Sequence, residues 1–329
     1  MLNVGVIGTG RTGASIAFAL LHRVVPGSVG GIRLTLHDPQ GCGSSVARGQ
    51  AVEMDLADAL SYGQEGGVCH VQAIEQMGAC NVVVVAAKGS YDVNTLKGDK
   101  RKAGLQSDLP IIRGVGEALR GFTGAVLVVS NPSDTMARVL AEASGLPKER
   151  IFSFGASLDS ARVRAVLHSH GYDTCDLSCD WVGEHGPSGF IRWSCAKYRG
   201  VPLALPDAVR SDVERRVRER GYEIVELLGS SCAGPAVGVS RAVQHICHGG
   251  DDLLGVPIEV VGPVGYVYAG LPVRLDGAGG WSASTPDNEE PTEHERVPME
   301  LNLWRASVEA LERQAEAVLG PRGRGGGRR

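Results

Sequence analysis

The sequence predicts an α/β fold, a doubly wound parallel sheet followed by a smaller α+β domain. Three observations predict it. Short apolar runs alternate with helical stretches as far as residue 147. The runs are apolar throughout, as in NVVVVAA at 81–87 and AVLVV at 125–129, which suits strands covered on both faces. The first run, LNVGVIG at 2–8, leads straight into a glycine cluster that opens a helix.

The elements follow in order. After the strand at 2–8, residues 12–22 are rich in Ala, Leu and Ile and read as a helix. Residues 31–37 (GIRLTLH) form a second strand that ends at Asp38. Helical periodicity covers 46–62, and Gly66 and Gly67 beyond it read as a connection. The strand at 81–87 precedes a helix at 102–120, in which Pro110 permits a break or kink. The strand at 125–129 runs into Ser130-Asn131-Pro132, and the helix at 133–144 stops at Gly145. The first domain is therefore set at 1–147 and the second at 148–319. The second holds a helix at 158–170, strand-like 175–183 and 190–197, and helices at 207–228 and 234–248. Antiparallel strands follow over 256–276, with turns at Gly262-Pro263 and Gly270, then a polar loop at 277–298 and a final helix at 300–319. The tail 320–329, with five glycines and four arginines, is expected to be disordered.

Composition narrows the function classes. The chain has 329 residues, 46 of them glycine, with 43% hydrophobic and 21% charged. That is enough apolar material for a large core, and no G-x-y period makes it fibrous. No apolar run is long enough to span a bilayer, and the start lacks the basic region of a signal peptide. The formal charge is −4; without the arginines of the tail, 29 cations face 37 acids. A body of that sign argues against a nucleic-acid surface. None of the eight cysteines forms C-x-x-C, and most stand in apolar runs, so reduced, buried thiols and a cytoplasmic setting are expected. Cys175 and Cys179 with His168 and His170 make no zinc-type spacing, so no metal site is assigned. His245 and His248 read as a solvated helix end.

Gly8-Thr9-Gly10-Arg11-Thr12-Gly13 is a G-x-G-x-x-G between a strand and a helix. Gly8 allows the tight turn, Gly10 lets the backbone approach a diphosphate, and Gly13 lets helix and strand pack closely. The helix N-terminus favours the phosphate charge. Asp38, 25 residues after Gly13, can accept both ribose hydroxyls and would repel a 2′-phosphate, which favours NAD over NADP. The first domain is thus read as an NAD-binding Rossmann domain. Asp159 and Arg162 are three apart at a helix start, where they share a face; on a surface they would be an ordinary pair. His185 lies between Gly183-Glu184 and Gly186 at a strand end, where its ring can enter a cleft; a structural histidine is the alternative.

In combination these motifs resemble the L-lactate/malate dehydrogenase family over nearly all of 1–319. The resemblance includes GTGRTG, SNP at 130–132, SGLPKERIF at 144–152, LDSAR at 158–162, GEHG at 183–186 and RVRERGYEIVELLGSS at 216–231. It implies an NAD-dependent L-2-hydroxy acid dehydrogenase, with 148–319 as the substrate and catalytic domain. His185 would donate and accept the proton at the C2 oxygen, and Asp159 would hold its other ring nitrogen. Arg162 would grip the substrate carboxylate as a bidentate fork. Asn131 would bond the reacting oxygen and also touch the cofactor, and its bond to Pro132 is a candidate cis peptide. Ser231 would line the pocket for the substrate side chain. The glycine-loop residues Arg11 and Thr12, with Ala87 at a strand end, would complete the cofactor site.

The active-site loop carries the remaining roles. Alignment back from the helix at 102–120 places the carbonyl-polarising arginine at Arg101 and the side-chain reader near Thr95, in a segment longer than usual. Lys88 stands where glycine is common, Ala103 where aspartate follows the loop arginine, and Pro187 where aspartate follows GEHG. Lys97, Lys100 and Lys102 make the segment basic. The bland reading is a solvated lid. The sharper one is that an extra cation meets a second anionic group on the substrate, a carboxylate or phosphonate. The LDSAR form implies a homo-oligomer, a tetramer more than a dimer. Two other classes stay open. An NAD-dependent glycosidase would show a manganese requirement, and a non-catalytic NAD-binding protein would bind without turnover.

Overall fold

The computed structural model describes residues 1–22, 31–42, 45–63, 65–90, 104–261, 263–284 and 298–320. Thr95, Arg101, Ala103, the three loop lysines and tail residues 321–329 lie outside the described residues.

Six parallel strands build the first half: β1 (Leu2–Ile7), β2 (Ile32–His37), β3 (Gly66–His70), β4 (Val82–Val85), β5 (Ala125–Val128) and β6 (Ile151–Ser153). Their order in the sheet is β3-β2-β1-β4-β5-β6, so the chain reverses direction of build between β1 and β4. Ligands of such sheets bind beyond the carboxyl ends of the strands at that reversal. Both faces are covered, and all four valines of β4 are fully buried. Helices α1 (Arg11–Leu21), α2 (Val46–Leu60), α3 (Leu105–Ala118) and α4 (Ser133–Ser144) connect the strands. Pro110 lies inside α3 without ending it. α4 stops at Gly145, whose φ of 66° is the left-handed cap that glycine takes most readily.

The second half begins with α5 (Ala156–His168). Short strands follow: β7 (Leu177–Ser178), β8 (Trp181–Val182), β9 (Phe190–Ile191), β10 (Lys197–Tyr198) and β11 (Val201–Pro202). Then come α6 (Asp207–Leu228), α7 (Ala233–His248), β12 (Gly250–Glu259), β13 (Tyr266–Leu275), β14 (Trp281–Ala283) and α8 (Pro298–Leu319). β12 pairs antiparallel with β6, so β12, β13 and β14 extend the same sheet to nine strands among the described residues.

Four expectations are corrected. Gly66 and Gly67 are not a connection; they open β3, which among the described residues is an edge strand paired with β2, and a Cβ on Gly66 would come 2.8 Å from the Ile32 carbonyl. Gly270 is not a turn. It lies in mid-strand and exchanges backbone bonds with Gly183, at 3.0 and 2.8 Å. Most cysteines are not buried: Cys80 and Cys179 are, Cys69 and Cys175 are exposed, and none of the eight is in a disulfide. Burial pushes the Cys179 thiol up to about 12, which keeps it protonated and unreactive. His245 is not a solvated end; its Nδ1 lies 3.0 Å from the buried Asp252 carboxylate.

Candidate active site

The glycine loop is shaped by contacts that only hydrogen side chains permit. Gly8 has φ 94°, and a Cβ there would lie 2.6 Å from Ala87 Cα. A Cβ on Gly13 would overlap the Gly8 carbonyl oxygen. Gly10 caps α1 without a side-chain bond, and nothing stands within 4 Å of its missing Cβ. The first amides of α1 therefore face an open cradle, which fits a diphosphate. Gly13→Ala should cost about 1–3 kcal/mol of stability, as overpacking does. It should weaken NADH binding as well. Thermal unfolding and an NADH titration check this; an unchanged melting point and affinity would contradict the packing argument.

Asp38 ends β2 as expected, but its carboxylate is sequestered. Oδ1 accepts from Thr9 N and Oδ2 from Thr9 Oγ1, both at 2.7 Å, and the residue is 5% exposed. His70 Nε2 stands 3.5 Å from Oδ2. Arg11 reaches across to the end of α6: Nη1 donates to the Leu228 carbonyl at 2.8 Å.

The acid–base cluster assembles at the start of α5. His185 Nδ1 donates to Asp159 Oδ2 at 2.5 Å, and Arg162 Nη1 donates to Asp159 Oδ1 at 2.9 Å. One carboxylate thus orients both the imidazole and the guanidinium, and all three residues are buried. The Gly183–Gly270 pairing fixes the loop that carries His185 to the sheet. Gly155, the N-cap of α5, leaves room for the imidazole, since a Cβ there would overlap the ring. Asp134 Oδ2 accepts the His185 backbone N–H at 2.8 Å, and its Oδ1 accepts from Ser153 Oγ. Neither Gly155 nor Asp134 was found from the sequence.

Burial pushes the Asp134 carboxyl up to about 6, against the opposing bonds from Ser153 and His185. In the unfolded chain it ionises near pH 4. Between those values only the folded state keeps the proton, so this group's contribution to stability falls as pH rises through the window. Asp134→Asn keeps an acceptor for His185 N–H and carries no charge. Relative to its standing at pH 4, it should gain about 2 kcal/mol on the parent by pH 7 and hold that gain above. Unfolding measured across the range checks this; a difference flat from pH 4 to 7 would contradict it.

A cavity of about 200 Å³ opens beside this cluster. Among the expected site residues, Thr12, Ala87, Asn131, Arg162, His185 and Ser231 line it. Asp159 lies behind His185 and Arg162, and Asp38 and Arg11 stand outside the wall. The Asn131–Pro132 peptide is cis. Lys88, Asp108, Phe154, Tyr222 and Val225 also face the cavity. A protein with a diphosphate cradle at a sheet reversal and a carboxylate–imidazole pair in the adjoining cavity has the parts of a dinucleotide-dependent enzyme.

Comparison with known proteins is specific. The family model for the lactate/malate dehydrogenase NAD binding domain matches residues 2–153. The model for the lactate/malate dehydrogenase alpha/beta C-terminal domain matches 156–314. The chain belongs to the lactate/malate dehydrogenase family. It is 29% identical to an L-lactate dehydrogenase of Geobacillus kaustophilus over 286 residues, 83% of this chain and 86% of that one. One of Halalkalibacterium halodurans is 29% identical over 289 residues, with the same two coverages. In fold it resembles the malate dehydrogenase of Plasmodium falciparum, with TM-score 0.82 and 19% identity over 97% of this chain and 99% of that one. It also resembles the Cryptosporidium parvum lactate dehydrogenase solved with lactic acid and NAD, with TM-score 0.80 and 19% identity over 97% and 98%. The protein is accordingly an NAD-dependent 2-hydroxy acid dehydrogenase. No helix among the described residues is long and apolar enough to cross a membrane.

Proposed function

We propose that the protein interconverts a 2-oxo acid and an L-2-hydroxy acid, with His185 as proton donor and acceptor at the C2 oxygen. The observation that carries this reading is the Asp159 carboxylate shared between His185 and Arg162 in the cavity wall. NAD supplies or takes the hydride at C2. Asp159 holds Nδ1–H, so Nε2 is the nitrogen left to exchange a proton with substrate. Arg162 anchors the substrate carboxylate, and Asn131 donates to the reacting oxygen. Ser231 and Thr95 read the side chain, Arg101 polarises the carbonyl, and Gly8, Gly10, Arg11, Thr12, Gly13, Asp38, Ala87 and Asn131 hold the cofactor. Residues 1–147 form the NAD-binding domain and 148–319 the catalytic and substrate domain, to whose site the first contributes Thr95, Arg101 and Asn131.

The substrate carries a second anionic group, a carboxylate or phosphonate. The cations of segment 97–102 support this reading. A screen of 2-oxo acids with NADH tests it: kcat/KM should favour those bearing a second anion, and a clear preference for neutral side chains would reject it. The enzyme works as a homo-oligomer, tetramer or dimer. Exposed Met54 and Tyr62 at α2 and exposed Leu227, Leu228 and Val237 at α6 and α7 support that. Its setting is the cytoplasm.

A further inference from the structure

His185 sits in the segment 183–189, between β8 and β9. Both sides of that segment are tied to one buried carboxylate. Glu184 is 4% exposed, and its Oε2 accepts from Ser188 N at 3.1 Å and from Ser188 Oγ. Its backbone carbonyl accepts from Trp181 Nε1 at 3.1 Å. The other carboxylate oxygen, Oε1, accepts from Gln314 Nε2 at 2.5 Å, and Gln314 belongs to α8. The same helix meets the segment a second time. Glu184 N donates to the fully buried Ser307 Oγ at 2.8 Å. A Cβ on Gly183 would overlap that hydroxyl, so the segment approaches α8 this closely only with glycine there.

Gln314 has a further partner on α4. Its Oε1 accepts from Thr135 Oγ1 at 3.0 Å, and Thr135 follows Asp134, which holds the His185 backbone N–H. One amide side chain therefore joins two supports of His185: the carboxylate before it in sequence and the helix that bonds its backbone. The donors to Glu184 named here are all neutral, so this buried carboxylate depends on their number and geometry. None of the described residues of α8 lines the cavity, so its influence on the reaction runs through what it holds.

We infer that Ser307 and Gln314 of α8 are positioning residues for His185, acting through Glu184. The role rests on His185 as the acid–base group of the reaction. Proton transfer needs the imidazole within about 3 Å of the C2 oxygen, and a misplacement of about 1 Å costs on the order of 10²-fold in rate. Asp159 orients the ring and Asp134 holds the backbone N–H. Glu184 and α8 fix the chain on either side of them.

The test uses the full chain, with oxaloacetate and pyruvate as substrates and NADH titrated by fluorescence. Gln314→Met keeps the length of the side chain and removes both of its bonds; Ser307→Ala removes the acceptor of Glu184 N–H. Each should lower kcat at least about fivefold on whichever acid the parent reduces faster, with KM and the NADH dissociation constant within about threefold of the parent. Amide hydrogen exchange of the peptide 183–189 should be faster in both. Val318→Ala loosens the packing of the same helix and touches none of these bonds, so its kcat should stay within about twofold of the parent. A smaller fall in kcat in either variant, unchanged exchange, or an equal fall in Val318→Ala would overturn the assignment. If one of the pair fails to fold, the other decides; if the parent reduces neither acid, the exchange decides. His185→Ala run beside them separates the two claims. Full turnover there removes the acid–base reading, whereas its loss alongside a parental rate in Gln314→Met removes only the role of α8.

Discussion

His185→Ala should lower kcat by about 10²–10⁴, the share of the rate that a positioned acid–base group supplies. The size of the effect follows from how the imidazole is held. Nδ1–H is committed to Asp159 at 2.5 Å, the backbone N–H to Asp134 at 2.8 Å, and the residue is 6% exposed. A water molecule in the vacated volume could bond to Asp159 but would lack the fixed orientation of the ring. NADH affinity should change little, since the amide cradle at the start of α1 is left intact. Steady-state kinetics with an NADH titration separates the two quantities. Full activity in His185→Ala would show that another group moves the proton.

Arg162→Lys should act on the other axis, raising KM by about 10–100-fold with a smaller fall in kcat. The structure explains why charge alone is insufficient. Arg162 spends Nη1 on Asp159 and still has a planar guanidinium with further donors toward the cavity. A lysine that kept the bond to Asp159 would have two protons left on one atom and no fork for a carboxylate. The loss of one charge-assisted bond, about 1.5–3 kcal/mol, corresponds to that range. Kinetics on the same 2-oxo acid for parent and variant measure it; an unchanged KM would remove Arg162 from carboxylate binding.

The sequence and the structure agree where local chemistry alone decides. NVVVVAA and AVLVV become β4 and β5 because a fully apolar run has no stable place except between two helical layers. GTGRTG becomes a tight loop because each glycine meets backbone that a side chain would strike. Agreement fails where pairing decides. Gly66-Gly67 has weak strand propensity, and the open edge of β2 makes it a strand nonetheless. Gly270 carries the signature of a turn, yet its missing side chain leaves room for Ala156 at the start of α5 and then for the Gly183 carbonyl it pairs with. The same distinction runs through the active site. His185, Asp159 and Arg162 are readable because their order and spacing form a recognisable set. Asp134 reads as an ordinary acid in the first turn of a helix, and only the fold brings it beneath His185. Gly155 gives no signal at all, since its role is the space it leaves for a ring 30 residues away in sequence. Asp38 is legible in position, and the bonds from Thr9 that cover it are not.

The central claim is that the buried Asp159–His185 pair reduces a 2-oxo acid with NADH. The most direct measurement follows NADH consumption by the full chain across pyruvate, oxaloacetate, branched, aromatic and phosphonate-bearing 2-oxo acids, with chiral analysis of the product and His185→Ala run in parallel. The account predicts turnover of at least one of these acids to the L-2-hydroxy product and loss of that turnover in the variant. Tight NADH binding with no turnover on any acid, or equal turnover in parent and variant, would contradict it.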